Sequence, residues 1–203
     1  APGAASGSAP GYVDEARRSA GRAGTAEADV WARLAEASLA EALGQPERVI
    51  AALEPLEAGP RDDAAPMFAV LWLPRLAGAL VDVGRATEAR RHSELLAVLA
   101  RRHTRELTTV VATIEARLAA FDGDAAAALK AFDRAESAVS PNTPVLERFE
   151  LHRRHGEQLL ALGRLDDARR QLRAAERLVS PLGSGPLVER IRSDLDAAGA
   201  EAD

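Results

Sequence analysis

The chain of 203 residues has no cysteine, one lysine, one methionine and one tyrosine, and only 3% of it is aromatic. Without cysteine there is no disulfide, no thiolate metal site and no cysteine nucleophile, and the redox compartment stays undetermined. No apolar run approaches the roughly 20 residues that span a bilayer, so no membrane partner is expected. The opening APGAASGSAPG lacks the apolar stretch of a secretory signal, and a cytoplasmic location is the expectation. Its Ala, Gly, Ser and Pro bury little surface, so residues 1–13 are expected to form a flexible lead-in. A start without methionine is what a processed chain or a fragment would show. No glycine-rich loop ends in Lys-Ser/Thr, no G-x-S-x-G elbow occurs, and Lys130 has no glycine context. No catalytic constellation is present, so the expectation is a protein that is not an enzyme and carries no cofactor. A net charge of −5 gives no general attraction to nucleic acid or anionic lipid.

What the chain does have is alanine, 45 residues of it, with 25 arginines beside the single Lys130. Alanine loses no side-chain entropy in a helix, so this composition favours an all-α fold. The arginine bias points to a GC-rich coding genome.

Four glycines set a rhythm. Gly44, Gly84, Gly123 and Gly163 are spaced by 40, 39 and 40 residues, each between two apolar-periodic runs. Seven residues before them stand Ala37, Ala77, Ala116 and Gly156; five after them stand Val49, Ala89, Ala128 and Ala168. Nine after them come Leu53, Ser93, Phe132 and Leu172, and twelve after them Leu56, Leu96, Ala135 and Ala175. Two antiparallel helices joined by a tight turn need a residue that accepts positive φ, and small side chains where their axes approach. One hairpin cannot bury both its faces, so neighbours must stack on it. The pattern predicts hairpins at 26–57, 65–102, 104–139 and 144–179, a short helix before them near 13–23, and a capping helix over 186–198. Thr143 and Asp124 are expected N-caps, and Pro46 and Pro66 first-turn prolines. Pro74 is expected to bend its helix.

The spacing resembles the tetratricopeptide repeat. Gly156, Gly163, Ala168, Leu172, Ala175 and Pro181 stand at or next to that family's signature positions, and Ala116, Gly123, Ala128, Phe132, Ala135 and Pro141 nearly repeat them. The first two repeats depart at Val49, Ser93, Leu56 and Leu96, and the period exceeds the family's usual ~34 residues, which leaves a HEAT-like repeat open. The resemblance implies a right-handed α-α superhelix, with the first helix of each hairpin lining a concave groove. The groove positions it implies are Trp31, Leu34, Ser38 and Glu41; Leu71, Pro74, Gly78, Val81 and Asp82; Val110, Thr113, Arg117 and Phe121; and Glu150, Arg153 and Glu157. Trp72 falls at a packing position. The run from Leu159 to Gly199 also resembles the solenoid arm of large MalT-like, LuxR-type ATP-dependent transcription regulators of bacteria. Their NTPase and helix-turn-helix modules are absent from this sequence.

The resemblance implies a scaffold for a protein or peptide partner, or a small effector, with Trp31 and Phe121 as candidate anchors. The alternative is a free-standing small-molecule sensor with an enclosed pocket near Trp31, Trp72 or Phe121; a homodimer is compatible with either. His152 and His155, three apart on one helix, have a metal-compatible spacing, but Arg153 and Arg154 between them favour packing histidines and no metal. Arg90, Arg91, Arg101, Arg102 and Arg105 form a basic run without interleaved aromatics, so a solvated face paired with Glu88, Glu94 and Glu106 is expected, with no nucleic acid bound. Asp122 and Asp124 lack the remaining oxygens of a calcium loop. Asp62, Asp63, Asp166 and Asp167 sit where acids favour helix starts.

Overall fold

In the computed structural model, residues 9–58, 65–102 and 107–200 are described. They form ten α-helices and no strand. The order is α1 (Ala9–Ala23), α2 (Ala26–Ala42), α3 (Pro46–Leu53), α4 (Ala65–Asp82), α5 (Ala86–Arg102), α6 (Leu107–Phe121), α7 (Ala125–Ala138), α8 (Val145–Ala161), α9 (Leu165–Val179) and α10 (Gly185–Ala200). Short 3-10 turns follow α3 and α9. Helix α1 begins at Ala9, so the last residues of the expected flexible lead-in are helical. Asp62 and Asp63, and the stretch holding Arg105 and Glu106, lie outside the described residues.

The four glycines are the hairpin turns, with φ of 66, 78, 78 and 69° at Gly44, Gly84, Gly123 and Gly163. A left-handed residue there lets the chain reverse while the helix end keeps its hydrogen bonds. The N–H of the next residue donates to the carbonyl five back in every case: Gln45 to Ala40, Arg85 to Leu80, Asp124 to Ala119 and Arg164 to Leu159, at 2.8–2.9 Å. Gly24 and Gly183 share the positive φ and join α1 and α10 to the array.

The small residues behave as the rhythm requires. Ala37, Ala77, Ala116, Ala89, Ala128 and Ala168 are fully buried between helices. Leu53, Phe132 and Leu172 fill the space beside them, and Trp72 packs against the first core cluster. Gly156 is the tightest point, because a Cβ there would lie 2.7 Å from Leu172 Cδ2. On α10, Ile191 and Ala198 are buried and Leu187 and Leu195 partly so, and the helix packs against α9.

Among the local expectations, Asp124 caps α7 by accepting from the Ala127 N–H at 2.9 Å. Pro46 opens α3, and α4 continues helical through Pro74. Thr143 does not cap α8. Pro144 takes that position without a side-chain cap, while Thr143 Oγ1 accepts from the Ser140 N–H at 2.9 Å and closes the preceding turn. Glu88 pairs with Arg85 and so leaves the basic run, and Arg90 pairs with Asp122.

Candidate functional site

Helices α2, α4, α6, α8 and α10 touch one another in sequence and form one continuous layer. The odd-numbered helices reach the next hairpin through that layer, by α3–α4, α5–α6, α7–α8 and α9–α10 contacts. Residues on the free side of the even helices therefore share a face, and two kinds of chemistry meet there.

One part of the face is ionic. Asp82 accepts from Arg117 Nη2 at 2.6 Å and from Arg154 Nη2 at 2.7 Å, which joins α4, α6 and α8 through one carboxylate. Arg117 also donates to the Gly78 carbonyl at 2.8 Å, an approach that a side chain at 78 would crowd. Arg153 is only 2% exposed and pairs with Glu150, Glu157 and, from α10, Asp194. Arg75 bonds Ser38 Oγ and Glu41. Arg190 of α10 donates to the Glu41 carbonyl at 3.1 Å, linking residues 149 positions apart. Five arginines (75, 117, 153, 154, 190) thus meet five acids (41, 82, 150, 157, 194) with no net charge.

The protonation behaviour follows from who faces whom. Burial alone would raise Glu150, but Arg153, Arg154, Arg190 and Arg117 outweigh it and hold the carboxyl at about 2. Glu41 has the opposite balance: burial pushes it up, and Arg75 offsets this only in part. Asp194 is raised by burial as well. Burial and the facing Arg154 push Arg117 down to about 10. Arg154 rises because Glu150, Glu157 and Asp82 overcome its burial.

The other part of the face is apolar. Trp31 is 52% exposed and meets Phe68 edge-on, with ring centroids 6.4 Å apart. Leu71, on the next turn of α4, is also exposed. Phe121 is 54% exposed at the end of α6, beside an open hollow of about 260 Å³ lined by Val81, Asp82, Arg117, Phe132, Arg154 and Glu157 among others.

The sequence-derived groove residues divide accordingly. Trp31, Leu71 and Phe121 are exposed, with Val110 half-buried. Ser38, Glu41, Asp82, Arg117, Glu150 and Glu157 belong to the ionic network, and Val81 lines the hollow. Leu34, Thr113 and Arg153 do not line an open groove. All three stand ten residues before a turn glycine and are buried. Leu34 joins the first core cluster, Thr113 donates to the Thr109 carbonyl, and Arg153 is enclosed by its acids. Sequence reasoning missed Arg75, Arg154, Arg190, Asp194 and Phe68. Arg75 and Arg154 could have been found, since both stand nine residues before a turn glycine; Arg190 and Asp194 lie in α10, outside the repeat register.

The histidines serve packing. His155 stacks on Phe132 at 4.7 Å and its Nδ1 lies 2.7 Å from Glu136 Oε1, which also accepts from Gln171 Nε2 at 2.7 Å. Gln171 Oε1 in turn is 2.7 Å from His152 Nδ1. The His155 contact holds Glu136 below the usual carboxylate range. Among the described residues no group of three or more His, Cys, Asp or Glu is placed to hold a metal, and no helix is long and apolar enough to cross a membrane.

Fold and face together define an all-α protein built of repeated helical hairpins. No family model, curated protein or solved structure matches the chain.

Proposed function

We propose that the chain is a non-catalytic scaffold of the tetratricopeptide type, a right-handed superhelix whose concave groove is the even-helix face, and that a protein segment or effector binds there. The reading extends to a place in the cell: the regulatory or sensor arm of a cytoplasmic bacterial signalling or transcription regulator, with no direct contact to nucleic acid. The observation that carries it is the exposure of Trp31 and Phe121 on the even helices of a chain with so few aromatics. Aromatic rings, Trp above all, are enriched among the residues that dominate the binding energy of interfaces. A free-standing small-molecule sensor with an enclosed pocket is the second reading; the hollow beside Phe121 is the place for its ligand, though it is open and its volume of about 260 Å³ lies below the usual ~300–1,000 Å³ of ligand pockets.

The test is capture from a bacterial lysate on the immobilised chain, with retained proteins and small molecules identified by mass spectrometry. A protein held by the unmodified chain and lost from both Trp31→Ala and Phe121→Ala supports the scaffold. Equal capture by all three chains rejects it. A retained metabolite without a protein selects the sensor. Arg153 is not used as a probe, because it is enclosed by Glu150, Glu157 and Asp194 and offers no exposed surface to a partner.

A further inference from the structure

The apolar core is interrupted along the chain. One large cluster runs from α2 to α6, and another joins α8, α9 and α10. Between them lies a small cluster of Ala112, Ala116, Ala131 and Ala135 around Phe132 and Leu151. Alanine methyls remove little area from water, so apolar burial at this seam rests mainly on two side chains, Phe132 and Leu151, against the many that fill the clusters on either side.

Polar contacts stitch the seam on both edges. On one edge Glu136 of α7 ties to His155 and Gln171 of the following hairpin, with the His155 ring lying on Phe132. On the even-helix edge, Arg154 reaches past α6 to Asp82, and Arg190 reaches the Glu41 carbonyl. The hollow beside Phe121 straddles the same seam, with Asp82 and Arg117 on one side and Arg154 and Glu157 on the other.

Breaking the two even-helix contacts strands no charge. Asp82 keeps Arg117 at 2.6 Å, and Arg154 keeps Glu150 and Glu157 within its own helix. The Glu41 carbonyl keeps the Gly44 N–H at 3.0 Å, and Arg190 keeps Glu150 at 3.9 Å. A polar contact whose partners are all satisfied in either state exchanges at low cost, whereas opening an apolar core does not.

We propose that Arg154–Asp82 and Arg190–Glu41 form a clasp: α8–α10 hinge as one body against α1–α7 at the alanine-rich seam, and releasing the clasp opens the even-helix face to its partner. The role of opening rests on the binding proposed above, whereas the hinge itself is measurable without any partner.

A chain without cysteine accepts two unique spin labels. Ala51→Cys on α3 and Ala197→Cys on α10 are exposed positions outside all of these contacts. Electron–electron dipolar spectroscopy at low salt is expected to give a single narrow distance. Adding Arg154→Gln with Arg190→Gln, which leaves Asp82 its Arg117 and Glu150 and Glu157 their Arg153, should shift the distribution to longer, broader distances while the helical circular dichroism is unchanged. An unchanged distribution in that folded variant overturns the clasp. If the variant loses its helical signal, the labelled chain carrying Arg190→Gln alone decides: widening supports the clasp and a constant distance refutes it. A hinge that opens while Trp31→Ala and Phe121→Ala leave capture intact would keep the clasp and remove the binding reading.

Discussion

The first and fourth hairpins share one register and use it differently. Thirteen residues before the turn glycine, α2 carries Trp31, open to solvent, and α8 carries Glu150, surrounded by four guanidiniums. Seven before the glycine, α2 has the methyl of Ala37 packed in the core, while α8 has Gly156 because Leu172 occupies the space a Cβ would take. The side of an even helix that meets its hairpin partner is governed by volume, and both hairpins obey the same size rule with different margins. The free side is governed by nothing local, so one hairpin can present an aromatic ring there and the other an ion network.

The largest test of this contrast is Arg153→Ala. Removing a buried guanidinium leaves Glu150, Glu157 and Asp194 facing one another, and a loss of about 3 kcal/mol is expected, since the acids keep some water. Urea unfolding measures it; a midpoint within error of the parent would show that the network is dispensable.

Next is Gly156→Ala, which drives a methyl into Leu172 and should cost about 1–3 kcal/mol despite the better helix propensity of alanine. Leu172→Ala in the same chain should recover part of that loss in a double-mutant cycle. Strictly additive effects would mean that the two residues do not meet. Ala37→Gly is the control in the first hairpin, where about 1 kcal/mol of propensity is the main loss.

Within the ion network, Glu150 and Glu41 should respond to pH with opposite sign. Glu150 sits at about 2 in the folded chain against an ordinary 4.5. Its stabilisation is present above about pH 4.5 and is lost as the pH falls through the folded value. Glu41 is raised, so its ionisation costs stability as the pH rises through the folded value. Glu150→Gln should therefore destabilise at neutral pH and matter less in acid, and Glu41→Gln should stabilise at neutral pH. Urea midpoints at several pH values read both, and the same sign for the two variants would contradict the charge arrangement.

The smallest effect is expected from Trp31→Ala. An exposed ring with one edge-on partner should change stability by no more than about 0.5 kcal/mol in the same urea assay. A substantially larger loss would mark Trp31 as core and weaken its standing as an anchor.

Much of the fold was legible in advance because its causes are local. A glycine that must take positive φ, a small residue where helices touch and an acid at a helix start act within a few residues, so Gly44, Gly163, Ala168 and Asp124 could be read directly from spacing. The candidate site was legible only as a face. Trp31, Leu71 and Phe121 are exposed and Leu34, Thr113 and Arg153 are buried, a difference that depends on how the hairpins stack and not on spacing within one repeat. Thr143 failed for a related reason, as a side chain with two nearby backbone donors can close either turn.

By itself, then, the sequence determined an all-α chain of hairpins with its turns, its close-packing points and its capping helix, because each is set by backbone sterics and side-chain volume at short range. The tertiary structure alone decided that Arg154 would find Asp82 at a separation of 72 residues and that Arg190 would find Glu41 at 149. Such pairings depend on how several hairpins stack on one another, and no single repeat contains that arrangement.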